Sequence, residues 1–151
     1  MTLVLRTLLV PVDFSETAEH ALEAAIDLAT AVSAKVYLVH VYQIPVYGFP
    51  DGAFIAGPEV ATRISEAAQK GLDAIVERYR SRGVELGSEL RTGAAHEEIV
   101  HCAKDLGADL IVMGTHGRGM IAHALLGSVT ERVVRTSPVP VMTIRHREHR
   151  K

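Results

Sequence analysis

Apolar positions along the chain fall into two alternating patterns, continuous short runs and helically spaced stripes. Leu3-Val4-Leu5 and Thr7-Leu8-Leu9-Val10 form one run, the signature of a strand covered on both faces of a parallel sheet. Asp13-Phe14-Ser15 closes it. Beyond Ser15, a good helix N-cap, Ala18, Ala21, Leu22, Ala25, Ile26, Ala29 and Val32 recur at helical spacing, with Glu16 and Glu19 near the positive end of the helix dipole. Lys35 to Val41, rich in β-branched and aromatic residues, predicts a second strand. From Tyr42 to Gly57, Pro45, Gly48, Pro50 and Gly52 interrupt any period, which predicts a surface loop long enough to cover a site.

Pro58 suits the first turn of a helix whose apolar face is Val60, Ile64, Ala67, Ala68, Leu72, Ile75, Val76 and Tyr79, ended by Gly83. Val84 to Leu90 reads as a third strand and His96 to Leu106 as a third helix closed by Gly107. Asp109 to Met113 reads as a fourth strand. A glycine-rich loop, a helix from about Ser128 to Thr136 and a last strand from Val139 to Ile144, with Pro138 and Pro140 at its start, complete the order. Strands alternating with helices force parallel pairing through right-handed crossovers. The expected fold is therefore α/β and Rossmann-like, an open five-stranded parallel sheet with helices on both faces.

A length of 151 residues suits one domain, expected over 1–145, and the charged or imidazole residues 146–151 read as a solvated tail. With 48% hydrophobic and 5% aromatic residues and no Trp, the core is built from Val, Leu, Ile and Ala. A formal net charge of -2 supplies no global field for nucleic acid or an anionic membrane, so neither is expected as a partner. The one cysteine, Cys102, excludes an intrachain disulfide and sits on an apolar helix face as a packed core thiol. The apolar run from Leu3, broken by Arg6 and followed by Pro11 and Asp13, fits a buried strand rather than a signal peptide or membrane span. A cytoplasmic location is the expectation.

Ligands of open α/β sheets sit outside the carboxyl ends of the strands, where the strand order reverses. Three segments should meet there: Pro11-Val12-Asp13, His40-Val41, and the loop from Met113 through Gly114, Thr115, His116, Gly117 and Arg118. This loop runs on to Gly127 and Ser128 with the spacing G-x2-G-x9-G-S. Glycines at 114 and 117 allow close approach of backbone to a phosphate, while Gly127 and Ser128 bring amides and a hydroxyl to a helix start. Arg118 adds a charge-assisted donor. Ser128-Val129-Thr130-Glu131 also has the form of a capping box, which would engage Ser128 as an N-cap. Asp13 suits a ribose hydroxyl or an adenine amino group, or else the start of the next helix.

Other chemistries are excluded by pattern. There is no GxxxxGK[ST] P-loop, and Gly117 to Ala122 matches G-x-G-x-x-A in the wrong place, after the fourth strand, where about one strand remains downstream with no acidic residue at its end for a ribose. His96 and His101 stand five apart on a helix, poor spacing for two metal ligands, and no metal is assigned. No G-x-S-x-G nucleophile motif occurs, and no general base is placed for hydrolysis, so no catalytic residue is assigned.

The combination resembles the universal stress protein family, in its ATP-binding branch. The resemblance is carried by Leu8-Leu9-Val10-Pro11-Val12-Asp13-Phe14-Ser15, by Ala108 to Gly117, and by Leu125-Leu126-Gly127-Ser128-Val129-Thr130 through Pro138-Val139-Pro140-Val141. It implies ATP, with Mg²⁺ as a possible companion, held by Pro11, Val12, Asp13, Val41, Met113, Gly114, His116, Gly117, Arg118, Gly127, Ser128, Val129 and Thr130. Asp13 would lie near ribose or adenine, the Val41 backbone against the adenine edge, and the 114–118 and 127–130 backbones around the phosphates. It further implies a homodimer pairing Val139 to Ile144, and a regulatory or stress-response role with slow or no hydrolysis. The alternative is a dimeric interaction module of the same fold that binds no nucleotide. A related adenine-nucleotide α-hydrolase enzyme would carry an S-G-G-x-D-S loop after the first strand, where this chain has Asp13-Phe14-Ser15-Glu16-Thr17.

Overall fold

The computed structural model describes residues 2–116 and 126–145. Five parallel strands form the sheet: β1 (Thr7–Pro11), β2 (Lys35–Tyr42), β5 (Leu86–Thr92), β6 (Leu110–Gly114) and β7 (Val141–Ile144). Their order is β5-β2-β1-β6-β7. The helices are α1 (Glu16–Val32), α2 (Pro58–Tyr79), α3 (Ala95–Leu106) and α4 (Ser128–Thr136). The fold is the expected α/β class.

Side-chain alternation explains why β1 is apolar throughout. Leu8 and Val10 pack on one face with α1 and α2, sharing a core with Val36, Leu38, Leu72 and Val112. Leu9 points to the other face, where Val39, Ile99, Cys102, Ile111, Met113 and Val133 surround it under α3 and α4. A strand buried on both sides has no polar face to show. The chain steps outward from β1 through β2 to β5 and then crosses back to β6 on the other side of β1, so right-handed crossovers put α3 and α4 on the opposite face from α1 and α2. The order reverses between β1 and β6.

Several boundaries differ from the sequence reading, each for a local reason. The first strand starts at Thr7 rather than Leu3: the Asp109 carboxylate accepts the Arg6 and Thr7 amides at 2.8 and 3.0 Å, and Leu3 and Val4 remain 56% and 51% exposed. The third sheet strand lies at Leu86–Thr92, because register with β2 begins at Val36↔Leu86 and runs to Tyr42↔Thr92. The last strand starts at Val141, since Pro138 and Pro140 have no amide to donate to the ladder.

The largest correction concerns the segment 42–57. Instead of an irregular loop it carries an antiparallel hairpin, β3 (Val46–Phe49) and β4 (Gly52–Ile55), closed by Pro50-Asp51 and with Gly52 at φ +142°. Proline and aspartate are turn formers by fixed φ and by side-chain bonding, and the flanking Val46, Tyr47, Phe49, Phe54 and Ile55 favour strands. All eight strand residues are exposed.

Candidate functional site

Three of the sheet's central strands end at one rim, and the backbone there is tightly specified. Val12, just past β1, donates its amide to the Val39 carbonyl at 2.8 Å. Asp13 Oδ1 accepts the Ser15 amide at 3.0 Å, and Ser15 Oγ in turn accepts the Ala18 amide at 3.2 Å as the N-cap of α1. Between them Phe14 adopts φ +64°, a left-handed conformation unusual for a bulky residue. Such backbone strain costs about 1–3 kcal/mol and persists only where the surroundings over-determine it. Here they do: the Phe14 ring packs 4.4 Å from the His40 ring, centroid to centroid, and fills a notch in α2 left by Gly71, where a Cβ would stand 2.8 Å from the ring.

On the other side of the reversal, β6 ends at Gly114. A Cβ there would meet Thr17 Cγ2 at 2.6 Å and the Thr17 carbonyl oxygen at 3.0 Å, so the glycine lets β6 pass close against the first turn of α1. This packing requirement differs from the phosphate-approach role read from sequence. The Thr130 hydroxyl donates to the Gly114 carbonyl at 2.9 Å, and the Gly127 amide bonds the Thr115 carbonyl at 2.6 Å. These two bonds bring the start of α4 against the end of β6.

The N-cap of α4 is Gly127, in extended conformation and without a side-chain cap bond. The capping box therefore does not form: Ser128 is the first helical residue and is exposed, and Glu131 pairs with Arg135 one turn on. The amides of a first helical turn have no partner within the helix, and the dipole makes that end attractive to anions.

A cavity of about 260 Å³ lies over this rim. It is lined by Pro11, Val12 and Asp13 from the first turn, Val41 from β2, Met113, Gly114 and His116 from the end of β6, and Gly127, Ser128, Val129 and Thr130 from α4. Gly117 and Arg118 lie outside the described residues, as does the tail 146–151. His40, placed at this edge by the sequence but given no contact there, lines the cavity too, as do Ala18, Val39, Ala95 and Ile99, which sequence reasoning did not bring to the site. Ala95 and Ile99 come from the start of α3, and the only signal for them is topological: α3 belongs to the face that the reversal opens.

The walls are chemically divided. Pro11, Val39, Val41, Ile99 and Met113 make an apolar slot suited to a flat ring, Asp13 is a carboxylate acceptor for hydroxyls, and the start of α4 presents amides to an anion. About 260 Å³ is near the lower end of small-ligand sites, which suits a base and sugar with phosphates extending toward α4. The residues present thus fit an adenine nucleotide. Among the described residues no group of three or more His, Cys, Asp and Glu is arranged to hold a metal ion.

Cys102 does not line the cavity. Its thiol is fully buried, donates to Glu89 at 3.3 Å, and is pushed up to about 12 by burial first and the Glu89 carboxylate second. A thiol held protonated is a packing group, as the sequence indicated.

Residues 5–145 match the family model described as the universal stress protein family. The chain belongs to the universal stress protein family. Universal stress protein MJ0577 of Methanocaldococcus jannaschii is 31% identical over 160 residues, covering 97% of this chain and 99% of the relative. The solved structure of MJ0577 superposes with a TM-score of 0.80 at 30% identity, covering 96% of this chain and 99% of that one. A universal stress protein solved in complex with cAMP superposes with a TM-score of 0.64 at 27% identity, covering 92% and 95% of the two chains. Within this family frame, no helix among the described residues is long and apolar enough to cross a membrane.

Proposed function

We propose that this universal stress protein binds an adenine nucleotide, ATP in its working form, in the cavity over the β1–β6 reversal. It then acts through nucleotide-dependent conformation in a regulatory or stress-response role in the cytoplasm. The observation that carries the reading is the convergence of Pro11-Val12-Asp13, Val41, Met113-Gly114 and Gly127 to Thr130 on one cavity with an apolar slot, a carboxylate and a helix start. The cAMP complex of a related protein adds support from outside the chain.

In this reading the base lies in the slot of Pro11, Val39, Val41 and Met113, Asp13 takes the ribose, and the amides of Ser128, Val129 and Thr130 take phosphate oxygens. Gly114 and His116 border the phosphates, and Gly117 and Arg118 complete the cradle, with Mg²⁺ as an accompanying cation. Hydrolysis is slow or absent; turnover above about 1 s⁻¹, the low end of ordinary enzymes, overturns the regulatory reading. Residues 1–145 act as one domain, and β7, an edge strand of the sheet, pairs with its counterpart in a homodimer.

Mass spectrometry of the small molecule released on denaturing the purified protein tests the proposal. An adenine nucleotide near one per chain is expected. Protein that carries none, and shows no calorimetric binding of ATP, ADP or AMP, would favour the nucleotide-free interaction module instead.

A further inference from the structure

His40 ends the part of β2 that faces α1 and α2, the same side as Val36 and Leu38, where the strand is otherwise apolar. Its Nδ1 lies 2.7 Å from the carbonyl oxygen of Val12, and its ring packs 4.4 Å from Phe14. A carbonyl oxygen only accepts, so Nδ1 carries the proton and donates, which assigns the ring tautomer. The same bond supplies a partner to the carbonyl of Val12, a residue only 5% exposed.

These contacts converge on one short turn. Val12 is held from two sides, its amide by the Val39 carbonyl and its carbonyl by His40. Phe14, two residues later, is pinned between His40 and the Gly71 notch in its left-handed conformation. Asp13 lies between the two fixed points, with its carboxylate on the Ser15 amide at the cavity rim. A shift of the chain path here breaks the His40 bond to Val12 or the ring contact with Phe14, and a turn of the Asp13 carboxylate breaks its bond to the Ser15 amide.

We infer that His40 is a positioning residue for the nucleotide site: its Nδ1–H to the Val12 carbonyl and its tilted ring contact with Phe14 hold the Val12-Asp13-Phe14 turn so that Asp13 meets the ribose. This inference rests on the nucleotide reading above. It makes His40, one of the residues lining the cavity, a determinant of affinity through Asp13.

The test compares ATP affinity by calorimetry in wild type, His40→Leu and His40→Asn. Asparagine can place an amide N–H where Nδ1 stands; leucine cannot. The expected result is a loss of about tenfold in His40→Leu, the scale of one buried hydrogen bond, and substantial recovery in His40→Asn. Equal affinity of wild type and folded His40→Leu overturns the inference while leaving the nucleotide site standing. A wild type that binds none of ATP, ADP or AMP overturns the underlying reading and this one with it. Should His40→Leu not fold, ¹⁵N ring shifts of wild-type His40 decide. A protonated Nδ1 that persists above neutral pH supports the latch, and an Nε2-protonated ring contradicts it.

Discussion

Two excursions leave the carboxyl edge of the sheet, and they are built on opposite principles. The turn after β1 spends four residues, Val12 to Ser15, and fixes nearly every one through a backbone bond, a carboxylate–amide bond, a tilted ring contact or a helix cap. The segment after β2 spends fifteen residues, 43–57, on a hairpin whose bonds are its own ladder and whose side chains face solvent, Phe54 at 64% and Ile55 at 71% exposure. The first lines the cavity and the second does not. Precision at this site comes from a short strained turn braced by neighbouring elements, whereas length at the same edge brings only apolar surface. A two-stranded hairpin is at best marginally stable alone, so the hairpin contributes little to holding the sheet.

That contrast can be broken from either side. The largest effect is expected where β6 passes α1. Gly114→Ala forces Cβ into Thr17 and should cost about 1–3 kcal/mol in denaturant unfolding, the range for overpacking. Thr17→Ser, which removes the nearest methyl, should recover part of that loss; full stability in Gly114→Ala would show that the close approach is dispensable. Next, Asp13→Ala should weaken ATP binding by about tenfold in calorimetry, with a smaller loss of stability from the missing Ser15 amide bond.

A third test loosens the sheet without touching the turn. Burial holds the Cys102 pKa near 12, above the ordinary value of 9.0, and also raises that of Tyr79, whose hydroxyl donates to Glu19 and Glu23. Both groups bind their protons more tightly folded than unfolded, so stability is complete below pH 9 and declines as pH rises from there through about 12. Urea melts across pH 8 to 11 should show this decline, and Cys102→Ala should flatten it, leaving the Tyr79 share. The smallest effect is reserved for the hairpin. Replacing residues 46–55 by a short Gly-Ser link should leave both melting temperature and ATP affinity nearly unchanged, and a large loss of affinity would tie the hairpin to the site.

The sheet, its helices and its binding edge were legible because each element carries its own period and stop signal: the two-sided apolar run of β1, the Ser15 cap, Gly107 after α3. Eleven of the thirteen proposed nucleotide contacts line one cavity, and the other two, Gly117 and Arg118, lie outside the described residues. What stayed hidden depends on tertiary neighbours. Asp109 cuts the first strand short from 102 residues away, a fact that no local pattern carries. Gly114 also carries a packing role, close passage against Thr17, that no local pattern shows. His40, an isolated polar residue at a strand end, acquires meaning only when Val12 and Phe14 are brought beside it. The hairpin was missed for a different reason, since its Pro-Asp-Gly turn and flanking aromatics are visible locally but lack a buried face to create alternation.

The central claim is that the rim over the β1–β6 reversal receives the nucleotide, and amide NMR during an ATP titration addresses it most directly. Saturable shifts at Val12, Asp13, Val41, Gly114 and Ser128 to Thr130, with residues 46–55 unmoved, are the predicted result. An absence of saturable shifts at these positions, or shifts gathered on the hairpin instead, would contradict it.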